Sequence, residues 1–217
     1  MNVWLKNSIK NLLPLSEEKE DFKLAVKEWY FTGNIIDHEQ PIESCRLCEH
    51  EDLRYHYEIS NALLNVLWVG SKCIEKFDIT VYDSQGNEIS ENKEAYLITQ
   101  ARKKHIKSAL DKLIQTRPSD KIVSTNGPSK GESFPKVQLD EFCRNRYSLD
   151  NAFDARMLNY LFMRFDEEGL FYEKRFFTIS LKSKVGKDKL LLLTNQQFER
   201  IKDALSTTQQ NFYLEHK

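Results

Sequence analysis

The stretch CRLCEHEDLRYHYEISNALLNVLWVGSKCIEKF, residues 45–77, holds three of the four cysteines and decides how the chain around it is read. Cys45 and Cys48 form a C-x-x-C pair, a spacing that lets two thiolates face one tetrahedral metal ion. The chain then alternates. Leu53, Tyr55, Tyr57 and Ile59 share one side, and Arg54, His56 and Glu58 the other, which is the period of a half-buried strand. Ser60 and Asn61 suit a turn, residues 66–69 read as the returning strand, and Gly70 ends it. Ser71 is then the natural N-cap of a short helix over 72–77. Cys73 falls in the first turn of that helix, where backbone N–H groups and the helix dipole favour a thiolate.

A C-x-x-C turn, a hairpin and a helix-borne cysteine, in that order, resemble a treble-clef zinc finger. The resemblance spans residues 45–77 only and implies a structural zinc ion on Cys45, Cys48 and Cys73. Treble clefs usually take a further ligand one turn along the helix, where this chain has Lys76 and Phe77. A fourth ligand is therefore sought elsewhere: His50 first, His56 second, with Cys143 and His38 as distant options. The same cysteines also admit metal-free readings, as a redox pair or as small buried thiols. A redox C-x-x-C normally opens a helix after a strand, whereas this pair precedes one. The stretch is also similar to segments of uncharacterised bacterial proteins, many of them from phages or plasmids. They share C-x-L-C, a strand ending I-x-N, and V-G-S-x-C-I, matched here by Cys45, Leu47, Cys48, Ile59, Asn61, Val69, Gly70, Ser71, Cys73 and Ile74. That likeness implies a mobile-element origin and lends no activity.

The 217 residues suffice for one domain or two small ones, and 40% hydrophobic content with 12% aromatics fits a globular chain. No apolar run approaches the roughly 20 residues of a membrane span. The first ten residues, MNVWLKNSIK, lack the apolar core and cleavage site of a signal peptide. Clustered cysteines suit a reducing compartment, so a cytoplasmic location is expected. The net charge of −1 conceals an asymmetry: residues 14–60 carry twelve Asp and Glu against five Lys and Arg, a balance of −7.

The fold class expected is α+β: a zinc-knuckle, hairpin and helix module with a long helix over 1–115, a linker or exposed loop over 116–135, and a smaller ααββα module over 136–217. Residues 2–13 suit a short amphipathic helix stopped by Pro14. Ser16 then caps a second helix striped by Phe22, Ala25, Val26, Trp29 and Tyr30 and ended by Gly33. A second hairpin over 79–89 turns at 84–87, and a long helix runs from Ser90 towards Gln115. In the last module, a short helix over 137–145 holds Cys143, and Ser148 caps another with Phe153, Met157, Leu158, Leu161, Phe162 and Phe165 inside and Gly169 at its end. A strand over 175–182 and an apolar run over 190–193 make a hairpin, and Thr194 caps the final helix.

Two basic features stand out. The second half of the long helix carries Arg102, Lys103, Lys104, Lys107 and Lys112, with Arg117 just beyond, against Asp111 alone, a balance of +5. The hairpin presents Lys182, Lys184, Lys187 and Lys189. Clustered base is the electrostatic footprint of phosphate binding, and a solvated helix face or a lysine-protected sheet edge gives the same pattern. No H-E-x-x-H, G-x-S-x-G, kinase or phosphate-loop motif is present. The composition thus points to a non-enzymatic, zinc-stabilised protein that binds nucleic acid or a nucleoprotein complex through the basic helix and hairpin. The alternatives are a protein-binding inhibitor or adaptor of a host complex, working through the acidic N-terminal surface, and a hydrolase with an open zinc site.

Overall fold

A computed structural model describes residues 2–116, 122–124 and 133–217, and the chain divides into two compact units, Met1–Lys104 and His105–Lys217. Mixed helix and sheet confirm the α+β class.

In the first unit, α1 (Val3–Leu12) begins at Asn2, whose side chain accepts the Trp4 N–H, and runs into a 3₁₀ turn over Leu13–Leu15. The long helix expected from Ser16 does not form. The Ser16 hydroxyl is occupied elsewhere: it donates to the Leu12 carbonyl (3.0 Å) and accepts the Trp29 indole N–H (2.9 Å). The Glu28 carboxylate takes the Glu17 and Glu18 amides at 2.6 and 2.7 Å. These bonds hold the segment as a loop, and Asp21 instead caps a one-turn helix, α2 (Phe22–Ala25). The chain then enters β1 (Tyr30–Asp37), which buries Phe31 and Ile35 while Trp29, just before it, is fully buried. Gly33, read as a helix stop, has φ +92° and lies where the β1 register shifts between Phe31 and Ile35.

The hairpin forms as its alternation and turn predict. β2 (Tyr55–Ser60) pairs antiparallel with β3 (Val66–Val69), placing Tyr57 opposite Val69 and Ile59 opposite Leu67. β1 pairs on the other edge, so β2 is central and buried on both faces, His56 and Tyr57 included. α3 (Ser71–Lys76) is capped by the Gly70 position, and the Ser71 hydroxyl donates to Glu94. Residues 79–89 turn at Asp83–Gly86 and close through a single bridge, Tyr82 to Glu88. The long helix α4 (Lys93–Gln115) gives Leu97 and Ala101 to the first core, then Ile106, Ala109, Leu110 and Leu113 to the second.

The second unit departs from the ααββα expectation. Within the segment read as a linker, β4 (Ile122–Ser124) and β5 (Ser133–Pro135) pair antiparallel; residues 117–121 and 125–132 lie outside the described set. Both helices expected here form, but the first, α5 (Lys136–Asp150), runs past Asn145 and takes in Ser148, whose hydroxyl bonds back to the Arg144 carbonyl instead of capping the second. Asp154 caps α6 (Ala155–Glu167), whose inner face is the one read from the sequence. The hairpin over 175–193 is absent. Phe177 and Ile179 alternate inward as a strand would, but the one bridge there among the described residues joins Ile179 to Phe153. Ser183 then accepts the Gly186 N–H and starts α7 (Lys184–Leu191), where helix-forming Lys and Leu residues outweigh the short apolar run. Lys184, Lys187 and Lys189 are therefore helical, with Lys182 just ahead of them. Capping boxes at Thr194 and Ser206 open α8 (Asn195–Ile201) and α9 (Thr207–His216).

An ion network lies inside this second unit. Arg164 and Asp140 are both fully buried and 3.2 Å apart. Arg164 also reaches Glu167 (3.0 Å) and Glu168 (2.6 Å), and the Tyr160 hydroxyl donates to Asp140. Burial pushes the Asp140 carboxyl up, opposed by the bonds from Tyr160 and Arg164. Asp140→Ala leaves Arg164 its bonds to Glu167 and Glu168 but takes the acceptor from the Tyr160 hydroxyl and from Arg164 Nη2, so stability should fall by about 1–3 kcal/mol. The double replacement Asp140→Leu with Arg164→Met should recover most of it. The three tryptophans all lie before residue 105, so far-UV circular dichroism in a urea series is the measurement for this unit.

Candidate metal centre

Three backbone decisions bring the sulfurs together. The Cys45 amide donates to the His50 carbonyl and the Glu49 amide to the Cys45 carbonyl, each at 2.9 Å, which folds residues 45–50 into a tight turn. Glu43 and Leu53 exchange both backbone bonds and close the loop behind it. The Arg46 amide donates to the Trp68 carbonyl at 2.9 Å, fastening the turn to β3. β3 in turn delivers Gly70, and a Cβ there would meet the Leu53 side chain at 3.2 Å. Cys73 follows in the first turn of α3.

The outcome is a compact trio. Cys73 Sγ lies 3.3 Å from Cys48 Sγ and 3.6 Å from Cys45 Sγ, and all three sulfurs fall within 4.8 Å of one another. All three side chains are buried, beside Leu47, Val69 and Ile74. A tetrahedral ion with metal–sulfur bonds of about 2.3 Å needs sulfurs roughly 3.7 Å apart, so the trio is near the separation a metal requires. The sulfurs do not titrate alike. Thiol donation from Cys48 and Cys73, with the Cys48 and Gly70 amides behind it, holds the Cys45 thiol far below its ordinary range. That thiolate pushes Cys48 and Cys73 up. This buried group can hold a metal ion.

The structure does not bring His50 into the group. Its ring is exposed, and its backbone serves instead, with the carbonyl bound by Cys45 and the amide directed at Cys48. His56 is buried but engaged: Nε2 bonds the Ser44 carbonyl at 3.0 Å and Nδ1 lies 3.2 Å from His38 Nε2. The carbonyl only accepts, so His56 carries its proton on Nε2 and His38 donates to the bare Nδ1. Cys143 is buried in the core of the second unit.

Arg102, Lys103, Lys104 and Lys107 are exposed on α4, and the Lys104 amine donates to the Ile35 carbonyl. Lys182, Lys184 and Lys187 are exposed; Lys187 sits 5.6 Å over the Phe212 ring and Lys189 pairs with Asp154 at 2.7 Å. Lys182 and Lys189 line a cleft of about 450 Å³ with Arg146, Ser180 and Ser183. Sequence reasoning missed the support that α1 gives the cysteine turn. The Asn7 amide donates to the Cys48 carbonyl (3.4 Å) and the Asn11 amide to Leu47 (3.1 Å) and Glu49 (3.1 Å). The signal was present as two asparagines four residues apart on one helix face.

None of the protein-family models, curated proteins or solved structures compared with this chain matches it. Among the described residues, no helix is long and apolar enough to cross a membrane.

The His38–His56 pair carries a pH dependence. Burial lowers the His56 pKa from its ordinary 6.5, with His38 adding to the effect and Ser44, Glu43 and Cys45 opposing it. A depressed histidine is neutral when folded, so its contribution is complete above pH 6.5 and is lost as pH falls below that value. Urea midpoints should therefore drop between pH 7 and 5, and His56→Gln should flatten the slope. An equal slope in the variant removes His56 as the cause.

Proposed function

We propose that the chain is a non-enzymatic binding protein whose first unit is stabilised by zinc on Cys45, Cys48 and Cys73, and which engages nucleic acid or a nucleoprotein complex through the basic surface of α4. The observation that carries the zinc reading is the convergence of three buried sulfurs inside 4.8 Å. Zinc suits an all-thiolate set from a C-x-x-C turn and a helix start, and it is redox-inert. Support for the nucleic-acid reading comes from α4. Lys103 and Lys107 stand exposed one turn apart, with Arg102 beside them, and exposed cations at this spacing can follow a phosphate backbone.

Zinc should bind one per chain. At about a hundred times its dissociation constant it should add about 2.7 kcal/mol to the stability of the unit that holds it. Binding should release protons near neutral pH, because thiols must ionise to bind and Cys48 and Cys73 are pushed up. Calorimetry in buffers of different ionisation enthalpy counts them, and Cys73→Ser should abolish stoichiometric uptake.

Binding of single- and double-stranded DNA and RNA across a salt series tests the second half. Replacing Lys103 and Lys107 by glutamine should flatten the plot of log K against log salt by about 0.9 for each duplex phosphate that the protein no longer neutralises. An unchanged slope removes both lysines from the binding surface. No binding even at low salt transfers the reading to a protein partner of the acidic 14–60 region.

A further inference from the structure

We infer that the end of the sheet around the 61–64 turn docks a basic amphipathic helix of a partner protein, through the side chains of Leu63 and Leu64 and the acidic loop beside them. The turn joins β2 to β3, and in it Leu63 and Leu64 are 52% and 84% exposed. Leu64 has φ +62°, and every other non-glycine residue at positive φ among the described residues is Asn, Asp or Glu. Left-handed backbone suits Gly or Asn and costs a leucine free energy. A buried leucine could offset that cost by packing, but Leu64 gives its side chain to solvent. The turn is nonetheless held firmly. The Leu64 amide donates to the Asn61 carbonyl at 3.0 Å, and the Asn65 amide to the Asn61 side chain at 3.1 Å. The side-chain amides of Asn61 and Asn65 both donate to the Leu15 carbonyl, at 2.8 and 2.7 Å. Ser60 Oγ donates to the Asn65 carbonyl at 3.0 Å, and Asn61 itself is buried. A rigid mount that turns two leucines outward has little freedom left to lose on binding, which is what a protein-docking knob needs.

The strand register widens the apolar surface. Tyr30 on β1 and Val66 on β3 both pair with Ser60 on β2, so the three side chains share one face of the sheet. Tyr30 and Val66 are exposed on either side of the small serine. They span two strand spacings, about 10 Å, which is the diameter of one α-helix. Charge then selects the partner. The bonds from Asn61 and Asn65 to Leu15 set the loop of Glu17, Glu18, Glu20 and Asp21 beside the turn. Glu17, Glu20 and Asp21 are exposed, while Lys19 between them is turned back onto the Pro14 and Ser16 carbonyls. Apolar knobs beside carboxylates fit an apolar helix face flanked by lysine or arginine. The same carboxylates repel an anionic bilayer, and a two-fold contact of the turn with itself would set one acidic loop against the other. A partner at this turn is independent of any nucleic acid on α4.

Two synthetic peptides test this on the full-length protein: an amphipathic helix of leucine and lysine, and its counterpart with glutamate in place of lysine. Amide-resolved NMR should show saturable binding of the lysine peptide, with shifts centred on residues 15–21, 30 and 60–66. Leu64→Asn keeps the left-handed turn and removes the apolar side chain, so it should weaken binding at least about tenfold with the rest of the spectrum unchanged. Leu63→Ser, beside the left-handed position, should weaken it in the same direction. The proposal is overturned by no binding of the lysine peptide, by equal binding of both peptides, or by shifts centred elsewhere. Unaltered affinity in both variants overturns it as well. Sedimentation that shows a dimer dissociated by Leu64→Asn overturns it in favour of a second copy of the chain. Binding to phosphatidylcholine–phosphatidylglycerol vesicles that the same substitution abolishes overturns it in favour of a lipid surface.

Discussion

Three sulfur atoms held within 4.8 Å in an apolar interior form an electrostatic constraint that the rest of the first unit is built to satisfy. Close-set thiolates repel, and burial denies them water. Two devices ease this. Amides of Cys48 and Gly70 stabilise negative charge on Cys45, and the amide of His50 does so on Cys48. A cation held there would be a third, and would let all three sulfurs ionise. Plain core packing, where a neutral thiol acts as a small hydrophobe, uses none of these amides. Apolar residues of the same size would fill the space with no such conflict.

The constraint propagates through backbone bonds more than through side chains. The cysteine turn is fixed to β3 by Arg46, to the loop base by Glu43 and Leu53, and to α1 by the amides of Asn7 and Asn11. α1 is itself anchored by Trp4, which stacks on Phe77 with centroids 4.4 Å apart, while Lys76 covers its other side. Phe77 directly follows α3, the helix that carries Cys73. The N-terminal helix thus touches both segments that carry the clustered cysteines, the 45–48 turn and the end of α3.

Legibility followed the range of the interactions. The hairpin over 55–69 and α4 were readable because alternation and helical spacing are local patterns. The three cysteines were readable because thiolate pairs have a characteristic spacing. The helix expected over 16–33 failed through non-local partners, since Ser16 spends its hydroxyl on Leu12 and on Trp29, thirteen residues away. The hairpin expected over 175–193 failed for the opposite reason. Its alternation was real, but alternation marks burial and does not supply a strand partner, and the cap at Ser183 favoured a helix. The His38–His56 and Arg164–Asp140 pairs left no trace in the sequence, being 18 and 24 residues apart.

The two basic features now differ in kind. On α4, Lys103 and Lys107 project from a helix whose opposite side is locked into core packing by Ala101, Ile106 and Leu110, so their positions are set by buried neighbours. On α7, Lys189 is committed to Asp154 and Lys187 lies over Phe212, which spends part of their charge inside the unit. Exposed ion pairs contribute little to stability, but they do reduce the charge available to a partner. A phosphate arriving at α7 has to compete with Asp154, whereas one arriving at Lys103 meets a hydrated ammonium group on a rigid support. Charge counted along the sequence ranked these stretches together. The fold engages part of each, Lys104 with the Ile35 carbonyl on α4 and Lys189 with Asp154 on α7.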